Sequence, residues 1–119
     1  MTTQQIADRL VALCRQEEWT AAQTELYADD AVSIEPFATE SHPVETKGLP
    51  AILEKGRRFD ASVETMHDLK VSDPLVAGNV FACTMHLDLT MKGQGRMQMS
   101  ELCVYHVKDG KIVSERFFV

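Results

Sequence analysis

The chain has 119 residues, of which 45% are hydrophobic and 25% charged, and this composition fits one folded domain with a core that needs neither disulfides nor a structural metal. Formal net charge is −6 and the basic residues are dispersed apart from Arg57-Arg58, which excludes an electrostatic surface for nucleic acid or anionic lipid. Neither partner is expected. The opening MTTQQIADRLVAL has no basic start followed by an apolar run, and nowhere do eighteen apolar residues run together, so no export signal or membrane span is expected.

From Thr3, taken as a cap, Ile6, Leu10, Leu13 and Cys14 recur at helical spacing and predict an amphipathic first helix. WTAAQTELY predicts a short second helix ended by Asp29-Asp30, and AVSIEP from Ala31 begins a strand. PFATESHPVETKG reads as a loop with a short strand at Val44 to Lys47. In GLPAILEKGRRF, Gly48 precedes a helix with Pro50 in its first turn and Ile52, Leu53 and Phe59 toward the core. After Asp60 the period changes to two. VETMHDLKV, NVFACTMHLDLTMK, RMQMSELCVYHV and KIVSERFFV predict an antiparallel meander, with turns at Gly93-Gln94 and Asp109-Gly110. Helices in the first half and a meander in the second predict a single α+β domain over residues 1–119: a cone in which a curved sheet wraps three helices and encloses a pocket.

Reading GQGR as a two-residue hairpin pairs Lys92 with Gly95, and so sets His86 opposite Glu101, Asp88 opposite Met99 and Ala82 opposite Tyr105. One face then mixes His86, Asp88 and Glu101 with Met97, Met99, Cys103 and Tyr105. That mixture suits the wall of a ligand site, apolar with a few polar groups, and Met66, Met97 and Met99 would supply an adaptable lining. It suits a solvated cross-strand charge cluster equally well.

The turn YADDAVSIEP into the first strand, the helix start KGLPAI, the meander and the closing VYHVKDGKIVSERFF resemble, in order and spacing, the nuclear transport factor 2-like superfamily. That group includes SnoaL-like polyketide cyclases and ketosteroid isomerases. The superfold hosts isomerases, cyclases, hydrolases and non-catalytic binding modules, so the resemblance implies a fold before it implies a reaction. By resemblance to the isomerases, Glu35 stands where a carboxylate before proline acts as general base, and Glu101 matches the protonated carboxyl that donates to the forming oxyanion. The helix-one tyrosine of those enzymes is replaced by Leu10, so steroid isomerase activity is not implied; Tyr27 and Tyr105 are the substitutes at hand, Tyr27 being read as a core residue with its hydroxyl at the rim. The resemblance also implies a homodimer built on the outer sheet face, and the alternate apolar positions of FACTMHLDL suit such a face.

His67 is expected to be hydrogen-bonded in the core or to face the cavity. His42, with Glu40 and Glu45 near it, matches no metal-ligand spacing, and His106 is expected at a surface or subunit contact. Glu115 and Arg116 alternate on the last strand, and one of them is expected to pair with a carboxylate across the sheet. Cys14, Cys83 and Cys103 lie in apolar patterns without CxxC spacing and read as buried free thiols of a reducing cytoplasm. The expected site is therefore Glu35, Glu101, Asp88 and His86 as acid–base groups with Tyr27, His67, Met97, Met99 and Tyr105 around the ligand, and no metal or cofactor. The expected ligand is a small apolar carbonyl compound; a non-catalytic binding or dimerisation module is the alternative.

Overall fold

A capping box starts the first helix, α1 (Thr3–Arg15): Thr2 Oγ1 accepts from the Gln5 N–H at 3.1 Å, and the Thr2 N–H donates to Gln5 Oε1 at 2.8 Å. The cap is Thr2 and not Thr3, because only Thr2 has a glutamine three residues on to return the bond. The computed structural model describes residues 1–39 and 42–119. Helix α2 (Trp19–Leu26) passes directly into β1 (Tyr27–Ile34), four residues ahead of the expected start at Ala31. A register shift between Tyr27 and Val32, in the pairing with the last strand, absorbs the polar Asp29-Asp30 step that reads as a break in the sequence.

Strand β2 (Glu45–Lys47) pairs with β1, and α3 (Leu49–Ser62) follows Gly48, whose φ of 91° is one that side-chain-bearing residues rarely adopt. The rest is β3 (Val63–Val71), β4 (Leu75–Ala77), β5 (Val80–Met91), β6 (Gly95–Lys108) and β7 (Lys111–Phe118). Strand β4, which pairs with β5, is too short to leave an alternation signature. The sheet has seven strands in the order β2-β1-β7-β6-β5-β3 with β4 off that path, and it is antiparallel except where β1 runs beside β7. Three helices pack on this curved sheet, as the meander and the early helices predict.

The two hairpins differ. Asp109 and Gly110, with φ of 52° and 75°, form a two-residue turn closed by Lys108 and Lys111, as expected. The preceding turn holds three residues, Lys92 to Gln94, so Met91 and not Lys92 pairs with Gly95. That single residue shifts the whole ladder. Glu101 pairs with Met85, Ser100 with His86, Gln98 with Asp88 and Tyr105 with Phe81. Because side chains alternate, His86 and Asp88 lie on the opposite face from Glu101, Met97, Met99 and Tyr105. The expected constellation is split between two faces.

The corrected register has a clear apolar logic. It sets Phe81, Cys83, Leu87 and Leu89 of β5 against Tyr105, Cys103, Met99 and Met97 of β6, all turned toward the helices. The alternate apolar residues of FACTMHLDL therefore form the domain's own core and are not an outer surface. Phe81, 1% exposed, stacks on Tyr105 with ring centroids 4.8 Å apart. Phe81→Ala is expected to lower the unfolding free energy by about 3–5 kcal/mol, read from urea denaturation, through lost burial and an unfilled cavity.

Candidate functional site

Strand β1 ends at a fixed point. The Glu35 N–H donates to the Val44 carbonyl at 2.7 Å, extending the β1–β2 ladder by one bond before Pro36 removes the next donor. The Glu35 carboxylate, at 18% exposure, is thereby held over the inner side, where Lys55 Nζ meets it at 2.8 Å. Lys55 arrives from α3 because it lies three residues after the buried Ile52 and four before Phe59, on the helix face that packs inward. Its ammonium also donates to Ser33 Oγ at 2.6 Å and lies 5.7 Å from the centre of the Phe117 ring.

The network continues inward. Ser33 donates to Glu115 Oε2 at 2.6 Å, and the Tyr27 hydroxyl donates to Glu115 Oε1. Glu115 is only 3% exposed. Its inward position depends on a register shift between His106 and Val107 opposite β7, which lets both Ile112 and Glu115 face the core. Burial is the main cause that raises the Glu115 carboxyl above its ordinary range, opposed by the two hydroxyl bonds and by Lys55. The phenol of Tyr27 is likewise pushed up, by burial first and by the Glu115 charge second.

Glu101 is the third carboxyl. It is half-buried on the inner face beside Cys103, whose Sγ lies 3.8 Å from Oε1. Desolvation, then repulsion from Glu35 and Glu115, lifts it from 4.5 to about 7, with smaller opposing contributions from Cys103 and Lys55. Three carboxyl groups thus lie around one ammonium, and burial together with their mutual repulsion raises both Glu115 and Glu101. Such a cluster can donate a proton from one carboxyl and accept one at another.

Of the residues expected at the site, Glu35 and Glu101 belong to this cluster, and Met97 and Met99 lie half-buried on the same inner face. Tyr27 is in the cluster too, but its hydroxyl is buried on Glu115 and not at a rim. Tyr105 is core, stacked on Phe81. His86, Asp88 and His67 are on the outer face. There Arg96 grips Asp88 in a two-point ion pair at 2.9 and 3.0 Å and holds its carboxyl below the usual range; His86 meets Ser100 at 2.8 Å and His67 meets Thr90 at 2.7 Å. His67 is exposed because β3 shifts register between Met66 and Asp68. Of the pair on the last strand, Glu115 turns inside to the hydroxyls of Tyr27 and Ser33, whereas Arg116 lies outside over the Phe118 ring, so the pairing expected with a carboxylate is not what holds either of them. His106 is exposed and bonded to Ser114, and Leu10 is buried in the core.

His42 is described, but Glu40 lies outside the described residues. Among the described residues no group of three or more His, Cys, Asp or Glu side chains is placed to hold a metal, and no helix is long and apolar enough to cross a membrane. Two depressions flank α3. One, of about 430 Å³, lies between Asp29, Leu49, Pro50, Leu53 and Arg57, which puts Leu53 at a groove and not in the core. The other, of about 320 Å³, runs between β2 and α3 with Thr46, Ala51 and Lys55 along it.

Ser33 and Lys55 are not singled out by the sequence, and Glu115 only for a pairing across the sheet. Lys55 left a signal: a lysine in register with Ile52 and Phe59 on the apolar stripe of a helix. Glu115 left little, since its facing is set by a strand irregularity.

The SnoaL-like domain family matches residues 1–119. The chain belongs to the SnoaL-like domain family. Among solved structures, a protein from Mesorhizobium loti is 34% identical over the full length of both chains with a TM-score of 0.90; its description names both a SnoaL-like polyketide cyclase and a carbohydrate phosphatase, provisionally. A nuclear transport factor 2-like protein from Burkholderia thailandensis has a TM-score of 0.84 at 19% identity, covering 99% of this chain and 90% of that one. A protein from Bacillus subtilis provisionally described as an isomerase has a TM-score of 0.75 at 21% identity, covering 98% and 88%. The last two show the SnoaL-like domain's fold alone. No curated protein sequence matches the chain.

The raised carboxyls make stability depend on pH with a definite sign. The folded SnoaL-like domain binds protons at Glu101 between 4.5 and about 7 that the unfolded chain has released, so this contribution is full below 4.5 and is lost as pH rises through about 7. Glu115 acts in the same direction. Glu101→Gln is expected to remove on the order of 3 kcal/mol of this pH-dependent change, measured by urea unfolding across that range. A wild-type stability that does not fall over this interval would contradict the assignment.

Proposed function

We propose that this SnoaL-like domain catalyses a cofactor-independent proton transfer on a small, largely apolar carbonyl compound, as an isomerase, cyclase or lyase would. In this reading Glu35 removes a proton next to the carbonyl, Glu101 in its protonated form donates one, and Lys55 supplies positive charge where an enolate oxygen develops. The observation that carries it is the cluster itself: three carboxyls around one ammonium, with Glu101 lifted to about 7. Two carboxyls in different surroundings acquire different roles, which is the arrangement acid–base enzymes require. Met97, Met99 and Phe117, half-buried on the inner face, supply apolar contact for the substrate body.

A non-catalytic binding or pairing module is the second reading, and one observation favours it: the Glu35 carboxylate is already satisfied by Lys55 at 2.8 Å, so a substrate must displace or share that cation. The homodimer is proposed on a changed footing. Leu102 and Phe118, paired across β6 and β7 and 41% and 44% exposed, give the outer face an apolar strip next to charged residues. Three buried free cysteines suit a reducing cytoplasm.

A thermal-shift screen comparing apolar ketones and lactones with charged metabolites is expected to raise the Tm with the carbonyl compounds. With a turned-over compound in hand, Glu35→Gln and Glu101→Gln are each expected to lower kcat by roughly 10²–10⁴. Wild-type rate should fall as pH rises through about 7, where Glu101 loses its proton, and Glu101→Gln should lose that limb. Full activity in both variants would leave the binding reading. Light scattering that gives a monomer mass at micromolar concentrations would sink the dimer.

A further inference from the structure

The groove between β2 and α3 contains an anomaly. Thr46 is 8% exposed, and its Oγ1 is buried without a hydrogen-bond partner among the described residues. Buried hydroxyls in folded proteins nearly always have a partner, and an orphan points to a water or ligand that completes it. Thr46 pairs directly with Ser33 across β1 and β2, and Ser33 Oγ is the group that accepts from Lys55 Nζ at 2.6 Å. Directly opposed residues of a sheet have their Cβ atoms roughly 5 Å apart. The orphan hydroxyl is thus a neighbour of the ammonium, and both residues line the same groove of about 320 Å³.

An ammonium has three hydrogens. Those of Lys55 go to Ser33 Oγ and Glu35 Oε1, which leaves a third to donate. Two donors therefore lie at the floor of one groove: a neutral hydroxyl, and a cation on a flexible four-carbon stem that can swing to open Oγ1. Paired donors in a desolvated place suit an oxygen that carries or develops negative charge.

We propose that the β2–α3 groove is the oxyanion subsite of this protein, with Thr46 Oγ1 and Lys55 Nζ both donating to the enolate oxygen of the substrate. This deepens the acid–base reading and rests on it for the identity of the oxygen as an enolate. It makes the substrate class an enolisable carbonyl compound whose oxygen enters from the β2–α3 side, with Glu35 beside it at the end of β1. Thr46 thereby becomes a catalytic residue, in hydrogen-bond contact with the reacting oxygen.

The test uses 4-nitrophenolate, whose charged oxygen imitates an enolate and whose absorbance reports binding. Wild type and Thr46→Ser, which keep the hydroxyl, are expected to bind it with similar Kd. Thr46→Val should weaken binding by up to about tenfold, the value of one hydrogen bond. The same Thr46→Val protein should melt at a higher temperature than wild type without ligand, since a methyl replaces a polar group that the free protein leaves unsatisfied. Stabilised yet weaker-binding is a combination that a merely structural threonine does not give. Unchanged probe affinity in Thr46→Val, or no saturable binding by wild type at millimolar probe, would overturn the subsite. A subsite that fails while Glu101→Gln still loses turnover leaves the acid–base reading standing, and the reverse pattern removes that reading alone.

Discussion

The Lys55 ammonium is the charge on which the arrangement of the site depends. It bonds Glu35 and Ser33 directly, opposes the upward shift of Glu101, and opposes that of Glu115 across Ser33. Removing a carboxylate from water is costly, and placing others beside it adds repulsion. One cation among three such groups offsets part of that cost and leaves the rest to be relieved by protonation. The upward shift of Glu101 to about 7 is thus a consequence of burial and of more carboxyl groups than cations within a desolvated space.

The sheet serves two purposes because its faces differ. The inner face carries the core and, toward one end, the carboxyl cluster; the outer face carries Asp88 with Arg96, two histidines bonded to hydroxyls, and the exposed Leu102 and Phe118. A three-residue turn at Lys92 to Gln94 decides which residues belong to which. Phe81, Leu87 and Leu89 gain burial against Tyr105, Met99 and Met97 in this register, whereas a slip of one would turn Glu101 outward and bring polar side chains against the helices. Core formation and site formation are therefore the same event on β6.

Groups left strained or unsatisfied tend to gather where a protein acts, since stability alone would remove them. Here the buried Glu115 on β7, the raised Glu101 on β6 and the orphan hydroxyl of Thr46 on β2 lie at the end of the sheet that Lys55 packs against. Each lowers stability by a mechanism that a simple apolar replacement would avoid. Their convergence is what distinguishes this end of the cone from the rest of the core, where Phe81, Leu89 and Ile112 are conventionally packed.

Read alone, the sequence yields the order of the three helices and of every strand but β4, the antiparallel meander, the two-residue turn at Asp109-Gly110 and the burial of the three cysteines, because periodicity and turn residues are local properties. It also led to Glu35 and Glu101, through their place in a recognisable chain order. Only the tertiary structure decided which residues share a face, since a turn one residue longer than the local pattern suggests inverts a strand's partners and moves His86 and Asp88 outside. It alone brought Lys55, Ser33, Thr46 and Glu115 together from a helix and three strands. Strand irregularities and helix docking set those meetings, and they answer to the packing of the whole core, which no short stretch of sequence encodes.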